Sequence, residues 1–101
     1  MELAHFQRLI DDIYGARDRS RGVSASFQWL VEEVGELAKA IRQGERKNIE
    51  EEFADVLAWL ASLASMCDVD LEQAARAKYP GKCIKCGGNP CACSTNPKLK
   101  M

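Results

Sequence analysis

The chain has 101 residues, of which 14 are Lys or Arg and 15 are Asp or Glu, so its formal net charge is −1. This length predicts one small domain, and this charge excludes bulk attraction to nucleic acid or to a membrane surface. No apolar run approaches the roughly 20 residues that span a bilayer, and the N-terminus is amphipathic and acidic, unlike a signal peptide. We therefore expect a cytoplasmic protein with no membrane partner.

A first helix is predicted at the N-terminus. Apolar residues recur every three or four positions from Leu3 to Ile13, and Arg17 continues their face. The segment from Gly15 to Gly22, GARDRSRG, then places three arginines between two glycines. This composition predicts either a solvated linker or a mobile arm that reaches phosphate.

The stretch from Phe27 to Leu60 predicts an antiparallel helical hairpin. One apolar stripe, with spacings of three and four, runs from Phe27 to Ile41, and a second runs from Ile49 to Leu63. The polar turn between them, Gln43 to Lys47, is so short that the two helices must lie antiparallel.

Helix-start signals support this division. Ser24 or Ser26 is expected to cap the second helix, and Asn48 with Glu51 makes a capping-box pattern for the third. A short fourth helix is predicted from Leu71 to Tyr79.

Four acids flank the two stripes of the hairpin. Glu33 and Glu36 share one flank of the second helix, and Glu52 and Asp55 share the same flank of the third. The antiparallel register places Glu33 opposite Asp55 and Glu36 opposite Glu52. Four converging carboxylates cannot all stay ionised unless cations lie between them, so the pattern predicts a metal site. A solvated charged face is the alternative for either pair alone.

The ligand type limits the metal. Iron sites in helical bundles use Glu-x-x-His, and the only histidine, His5, lies outside the hairpin. An all-oxygen set favours Mg²⁺ or Mn²⁺, which usually act on phosphate substrates.

The segments EEVGEL and EEFADVL resemble the ExxE and ExxD signature of the MazG-like, all-α nucleotide pyrophosphohydrolases. Glu33, Glu36, Glu52 and Asp55 stand at the four metal-ligand positions of that family. The resemblance implies Mg²⁺-dependent hydrolysis of a nucleoside triphosphate, ribo or deoxy, to the monophosphate and pyrophosphate. It also implies a homodimer or homotetramer, which the small four-helix core favours as well. The choice between dimer and tetramer, and between triphosphate and diphosphate, stays open.

Three further residues are candidates for substrate binding. The register places Trp29 opposite Trp59, about one helical turn from the acids. The two indoles either stack on the nucleotide base or fill the core beside the apolar stripes. Lys78 either neutralises a substrate phosphate or complements the dipole at the end of the fourth helix.

The sequence contains five cysteines. Cys67 extends the apolar stripe of the third helix and is expected to be buried. Cys83 and Cys86 form a CxxC motif, and Cys91 and Cys93 a CxC motif. In a reducing compartment this spacing favours a closed, structural zinc site over disulfides, with an unmetallated segment as the alternative.

The predicted fold is all-α: a MazG-like helical bundle with a central antiparallel hairpin over residues 1–80, a zinc-binding knob over 81–93 and a disordered tail over 94–101. The predicted function is nucleoside triphosphate pyrophosphohydrolase. The alternative is a binding module that uses the knob and the basic arm, with a vestigial acidic site. Its nucleic-acid form is disfavoured, because the net charge is negative and the knob has no aromatic residue on which a base could stack.

Overall fold

The structure, a computed structural model, describes residues 1–93 and confirms the all-α prediction. Its helices are α1 (Leu3–Arg21), α2 (Val23–Gln43), α3 (Arg46–Met66) and α4 (Leu71–Lys78). The described part of the chain contains no strand, and none of its helices has the length and apolar character needed to cross a bilayer.

The chain divides into two compact units, Met1–Leu71 and Glu72–Met101. The predicted boundary between the helical domain and the zinc-binding knob, between residues 80 and 81, stays a prediction. The predicted disordered tail over 94–101 lies outside the described residues.

Helix α1 is longer than the sequence pattern indicated. It continues through the arginine-rich segment to Arg21, so the predicted linker or mobile arm is wrong. Arg19 Nη1 donates to Asp11 Oδ1 at 2.8 Å, and Arg21 Nη1 donates to Asp18 Oδ1 at 2.9 Å. Arginine also has a high intrinsic helix propensity. These contacts hold the segment in helical form despite its glycine.

Helix α2 begins directly after α1, at a glycine. Gly22 is the N-cap of α2 and has a φ of 92°, and within residues 1–93 no side chain caps this helix. The predicted caps Ser24 and Ser26 are therefore wrong, since both lie inside α2. Ser26 is instead fully buried, and its Oγ accepts a hydrogen bond from Arg21 Nη1 at 3.4 Å.

The turn between α2 and α3 is shorter than predicted. Gly44 ends α2 in the left-handed conformation, with a φ of 79° that glycine adopts without strain. Glu45 is the N-cap of α3, and its carboxylate accepts from the backbone N–H of Lys47 at 3.2 Å and of Asn48 at 2.8 Å. The predicted capping box of Asn48 and Glu51 is therefore wrong.

Helices α2 and α3 pack against each other, and α1 packs mainly on α3. Because only Gly44 and Glu45 connect α2 to α3, the two helices run antiparallel. The buried apolar side chains are mostly small: Ile10, Ala40, Ala61, Leu63 and Ala64. This core is thin for a unit of this length.

A large part of the predicted stripes faces outward. The exposed apolar residues of this surface, called the outer apolar face below, are Phe27, Val31, Val34 and Ile41 of α2 and Phe53, Leu57 and Leu60 of α3. Spacings of three, four and seven put each set on one side of its helix. Phe27 is 55% exposed and Phe53 56% exposed, so neither ring belongs to the core of the single chain.

The buried side-chain amide of Gln7, in α1, forms hydrogen bonds with the residues at and after the end of α3. Gln7 Nε2 donates to the carbonyl of Val69 at 2.7 Å and to Ser65 Oγ at 3.2 Å, while Gln7 Oε1 accepts from the Leu71 N–H at 2.9 Å. Cys67 lies in this turn and is exposed, so the prediction of a buried thiol is wrong. The stripe does not continue to Cys67 because α3 ends at Met66.

Candidate metal and substrate site

Three of the four predicted acids meet in the structure. Glu33 of α2 and Glu52 and Asp55 of α3 each offer a carboxylate oxygen, and these oxygens lie within 4.8 Å of one another. The i, i+3 spacing in α3 puts Glu52 and Asp55 on one side, and the short turn brings Glu33 across from them. Glu36 lies outside this group and is exposed, one turn further along α2. We call Glu33, Glu52 and Asp55 the acid cluster.

The three carboxylates of the acid cluster place negative charges close together, and no positive charge among residues 1–93 pairs with them. The pKa of Glu33 is raised, first by burial and then by the negative charges of Asp55, Glu52 and Glu36. The Oε2 atom of Glu52 is buried and has no hydrogen-bond partner among residues 1–93. Buried carboxylate oxygens are nearly always paired, so this atom fits a position at which the protein binds a cation.

These residues fit a divalent cation. All the donors are carboxylate oxygens, which Mg²⁺ and Mn²⁺ prefer over softer ligands. In the described part of the chain, no lysine or arginine forms an ion pair with the acid cluster. A cation between the carboxylates would satisfy Glu52 Oε2 and offset their mutual repulsion.

The two tryptophans lie together, as the predicted register requires. The ring centroids of Trp29 and Trp59 are 6.1 Å apart, and the ring planes are inclined by 13°. The guanidinium of Arg21 lies over the Trp59 ring, 4.9 Å from its centroid. Trp29 is 45% exposed, whereas Trp59 is partly buried. Trp29 therefore offers the more accessible indole surface.

A cavity of about 260 Å³ lies beside Trp59, between α1 and α3. Its wall includes Asp55, which also belongs to the acid cluster, and three residues of α1: Tyr14, Arg17 and Arg21. The sequence pattern did not place Arg17 and Arg21 on one helical wall of the site, because the first helix was expected to end before Arg21. The available signal was the spacing of Ile10, Tyr14, Arg17 and Arg21, which puts them on one helical face.

Lys78 is the last residue of α4 and belongs to the second unit. Its Nζ lies 5.8 Å from the centroid of the Tyr79 ring. A role for Lys78 at the substrate stays a prediction.

The second unit contains a cluster of four cysteines. The Sγ atoms of Cys83, Cys86, Cys91 and Cys93 all lie within 4.8 Å of one another. Cys83 Sγ is 3.7 Å from Cys93 Sγ, and Cys86 Sγ is 4.0 Å from Cys91 Sγ. A tetrahedral zinc with Zn–S bonds of about 2.3 Å requires S···S separations of about 3.8 Å. The two separations of 3.7 Å and 4.0 Å are close to this value, and the remaining ones lie within 4.8 Å.

Backbone N–H groups point at these sulfur atoms. Cys86 Sγ accepts from the N–H of Gly88 at 3.4 Å and of Ala92 at 3.3 Å. Cys83 Sγ accepts from the Lys85 N–H at 3.4 Å, and Cys91 Sγ from the Cys93 N–H at 3.3 Å. Such donors stabilise thiolates, which are the metal-binding form of cysteine.

The thiol pKa values move apart within the cluster. The backbone N–H groups of Cys86 and Lys85 lower the pKa of Cys83 to about 6, and those of Gly88 and Ala92 lower the pKa of Cys86. The pKa of Cys93 is raised to about 12, chiefly by its hydrogen bond with Cys91. The lowered pKa values of Cys83 and Cys86 favour their thiolate forms, which are the forms that bind a metal.

The loop that carries the cysteines has no room for a side chain at Gly88. A Cβ added at Gly88 would lie 2.9 Å from the carbonyl oxygen of Pro90, closer than normal packing allows. The Asn89 side chain donates from Nδ2 to the Gly81 carbonyl at 2.9 Å and so closes the loop on its own start. The sequence Gly-Gly-Asn-Pro therefore matches the conformation of the turn.

Comparison with known proteins places the chain in a family. The model of the MazG nucleotide pyrophosphohydrolase domain matches residues 21–85, which is more than half of the chain and includes the whole acid cluster. No curated protein matches the chain. On the strength of the domain match, the chain belongs to the MazG nucleotide pyrophosphohydrolase domain family.

Proposed function

We propose that the protein hydrolyses a nucleoside triphosphate, ribo or deoxy, to the nucleoside monophosphate and pyrophosphate in the presence of Mg²⁺ or Mn²⁺. The observation that carries this proposal is the buried Glu52 oxygen that has no hydrogen-bond partner among residues 1–93, within the acid cluster of a MazG-family domain. An oxygen-only cluster of this kind suits the cations that act with phosphate substrates.

The acids have distinct places in this proposal. Glu33, Glu52 and Asp55 hold the cation directly, and Glu36 is the fourth ligand, reached by a change of its side-chain rotamer from the exposed position. A divalent cation held there would lower the pKa of a nearby water and stabilise negative charge on the phosphate oxygens.

The tryptophans and Lys78 are the proposed substrate contacts. Because Arg21 covers part of Trp59, the nucleotide base stacks on the exposed indole of Trp29, with Trp59 supporting it from beneath. Lys78 neutralises a phosphate in this proposal.

The cysteine cluster is proposed to hold one structural zinc. The sulfur spacing and the backbone donors favour a metal with four thiolate ligands, and four protein ligands leave no open position for chemistry. The zinc is therefore assigned to folding of the second unit and not to hydrolysis.

The protein is further proposed to be a cytoplasmic homodimer or homotetramer. The outer apolar face exposes two phenylalanines and five aliphatic residues, which is more apolar surface than a small monomer usually leaves in water. A second copy of the chain would cover this face.

The alternative function is a binding module for nucleic acid or protein. It relied in part on a mobile basic arm, which the described residues 1–93 do not have. The basic segment is helical, and two of its three arginines, Arg19 and Arg21, form ion pairs with Asp11 and Asp18. What remains for that function is the cysteine cluster alone.

The proposal is tested by incubating the purified protein with a panel of nucleoside di- and triphosphates, with and without Mg²⁺, and measuring the released pyrophosphate and phosphate. We expect Mg²⁺-dependent pyrophosphate release, lost in Glu52→Gln and retained in the control Glu51→Gln. Glu51 is the exposed neighbour and lies outside the acid cluster. Absence of pyrophosphate from every nucleotide would refute the hydrolase function.

A further inference from the structure

The cavity beside Trp59 adjoins the acid cluster, because Asp55 belongs to both. A phosphate chain bound at the acid cluster is longer than the cluster itself, so part of it must extend beyond the carboxylates. The cavity is the adjoining space on the α1 side. Its lining also includes two arginines of α1, Arg17 and Arg21.

The two arginines differ in their existing contacts. Arg21 donates to Asp18 at 2.9 Å and to Ser26 at 3.4 Å, and it lies over the Trp59 ring. Asp18 is only 5% exposed and also accepts a hydrogen bond from Ser62, so it is held in place to neutralise Arg21. The charge of Arg21 is therefore already balanced within the protein.

Arg17 has no ion pair or hydrogen bond from its side chain among residues 1–93. It lies one turn before Arg21 on the same side of α1, at the wall of the cavity, and it is exposed. Its five N–H donors are thus available in a geometry that suits a phosphate group.

We propose that Arg17 binds the phosphate chain of the nucleotide at the cavity between α1 and α3, which shares Asp55 with the acid cluster. This inference rests on the proposed hydrolase function. The cation at the acid cluster neutralises only part of the charge of a triphosphate, and Arg17 supplies a further positive charge. Arg21 is a positioning residue that holds the Trp59 wall of the cavity.

The kinetic test compares Arg17→Gln and Arg17→Lys with the wild type, using a triphosphate that the wild type hydrolyses. Arg17→Gln is expected to raise KM about tenfold, because a charge-assisted hydrogen bond to phosphate is lost. Arg17→Lys is expected to recover part of this loss, because it keeps the charge but not the planar fork. The matched control is Arg8→Gln, an exposed arginine of α1 outside this cavity, which should leave KM unchanged.

A second measurement separates this inference from the proposed function. Calorimetry measures binding of inorganic tripolyphosphate with Mg²⁺, whether or not nucleotides are hydrolysed. Weaker binding by Arg17→Gln than by Arg8→Gln supports the inference even where no nucleotide is cleaved. If Arg17→Gln matches the wild type in tripolyphosphate affinity and KM, or if the wild type binds no tripolyphosphate, the inference is wrong.

Discussion

When no cation is bound, the unfavourable electrostatic interactions of the acid cluster are seen at Glu33 and Glu52. Burial and four neighbouring acids raise the pKa of Glu33, and Glu52 keeps one buried oxygen without a partner among residues 1–93. Both effects act against folding when no cation is present, since the raised pKa disfavours the ionised form of Glu33 and an unpaired buried oxygen costs free energy. The metal-free protein is therefore less stable than its fold alone would allow.

The substitution Glu33→Gln should raise the Tm of the metal-free protein by a few degrees at pH 7, because it removes a repelled charge. A carboxyl with a raised folded-state pKa contributes stability below its unfolded pKa, near 4.5, and loses that contribution as pH rises through the folded-state value. The gain from Glu33→Gln should thus be larger at pH 7 than at pH 4.5. Thermal unfolding in EDTA at both pH values measures it.

The control for this experiment is Glu51→Gln, which removes one exposed charge outside the acid cluster. Addition of Mg²⁺ should reverse the order of stability, because the cation binds the folded wild type and stabilises it by mass action. A lower Tm for Glu33→Gln than for the wild type in EDTA at pH 7 would contradict this account.

The acid cluster was predictable because helical periodicity is a local property. The i, i+3 spacing of Glu52 and Asp55 and the register across a short turn need no tertiary information.

Arg21 was not predictable in the same way. Its role depends on a buried carboxylate, Asp18, and on the Trp59 ring, and burial is decided by packing between α1 and α3. The exposure of Cys67 was missed because it follows from where α3 ends.

The order of the four helices and the extent of α4 were predictable, whereas the end of α1 and the start of α3 were not. The arginine-rich segment was expected to leave the helix, since it contains two glycines and no apolar residue besides Ala16. It stays helical through the ion pair of Arg19 with Asp11, two turns earlier, which no local propensity reveals. The start of α3 was misplaced because Glu45 is an uncommon N-cap and Asn48 a common one.

The N-cap assignment of α3 can be tested by stability. Glu45→Ala should destabilise the protein by about 1 kcal/mol, because two backbone N–H groups lose their acceptor. Asn48→Ala should cost less, since Asn48 lies inside the helix and caps nothing in the structure. Urea unfolding of the two variants measures both values. A larger loss for Asn48→Ala would restore the cap position expected from the sequence.

The cysteine-bearing loop should contain one zinc per chain. Elemental analysis of the purified protein measures it, and the double substitution of Cys83 and Cys86 by serine should release the metal while nucleotide hydrolysis persists. Cys67→Ser is the matched control, because Cys67 lies outside the cluster. Zinc-free wild type prepared without chelators would contradict the assignment, and so would loss of hydrolysis in the metal-free double variant with its helices intact.

The single chain leaves much of its apolar surface in water. Its buried apolar side chains are mainly alanines, whereas the outer apolar face carries the phenylalanines of both α2 and α3. Covering such a face is the usual reason for a small helical unit to associate. A standard interface buries about 800 Å² on each partner.

Phe53→Glu should therefore convert the oligomer to a monomer, since it puts a charge in the middle of the outer apolar face. Light scattering coupled to size-exclusion chromatography measures the mass. The control is Ile13→Glu on α1, which makes the same change at a similarly exposed residue outside that face. An unchanged mass for Phe53→Glu, or a monomeric wild type, would rule out the outer apolar face as the interface.

The thin core also has a consequence for the amount of protein in the cell. If the outer apolar face is covered only when two chains meet, folding and association become one equilibrium, and its midpoint depends on total chain concentration. Each tenfold dilution then removes about 1.4 kcal/mol from the assembled state. The folded, assembled fraction would then fall on dilution and recover on concentration, together with any function that needs the assembly.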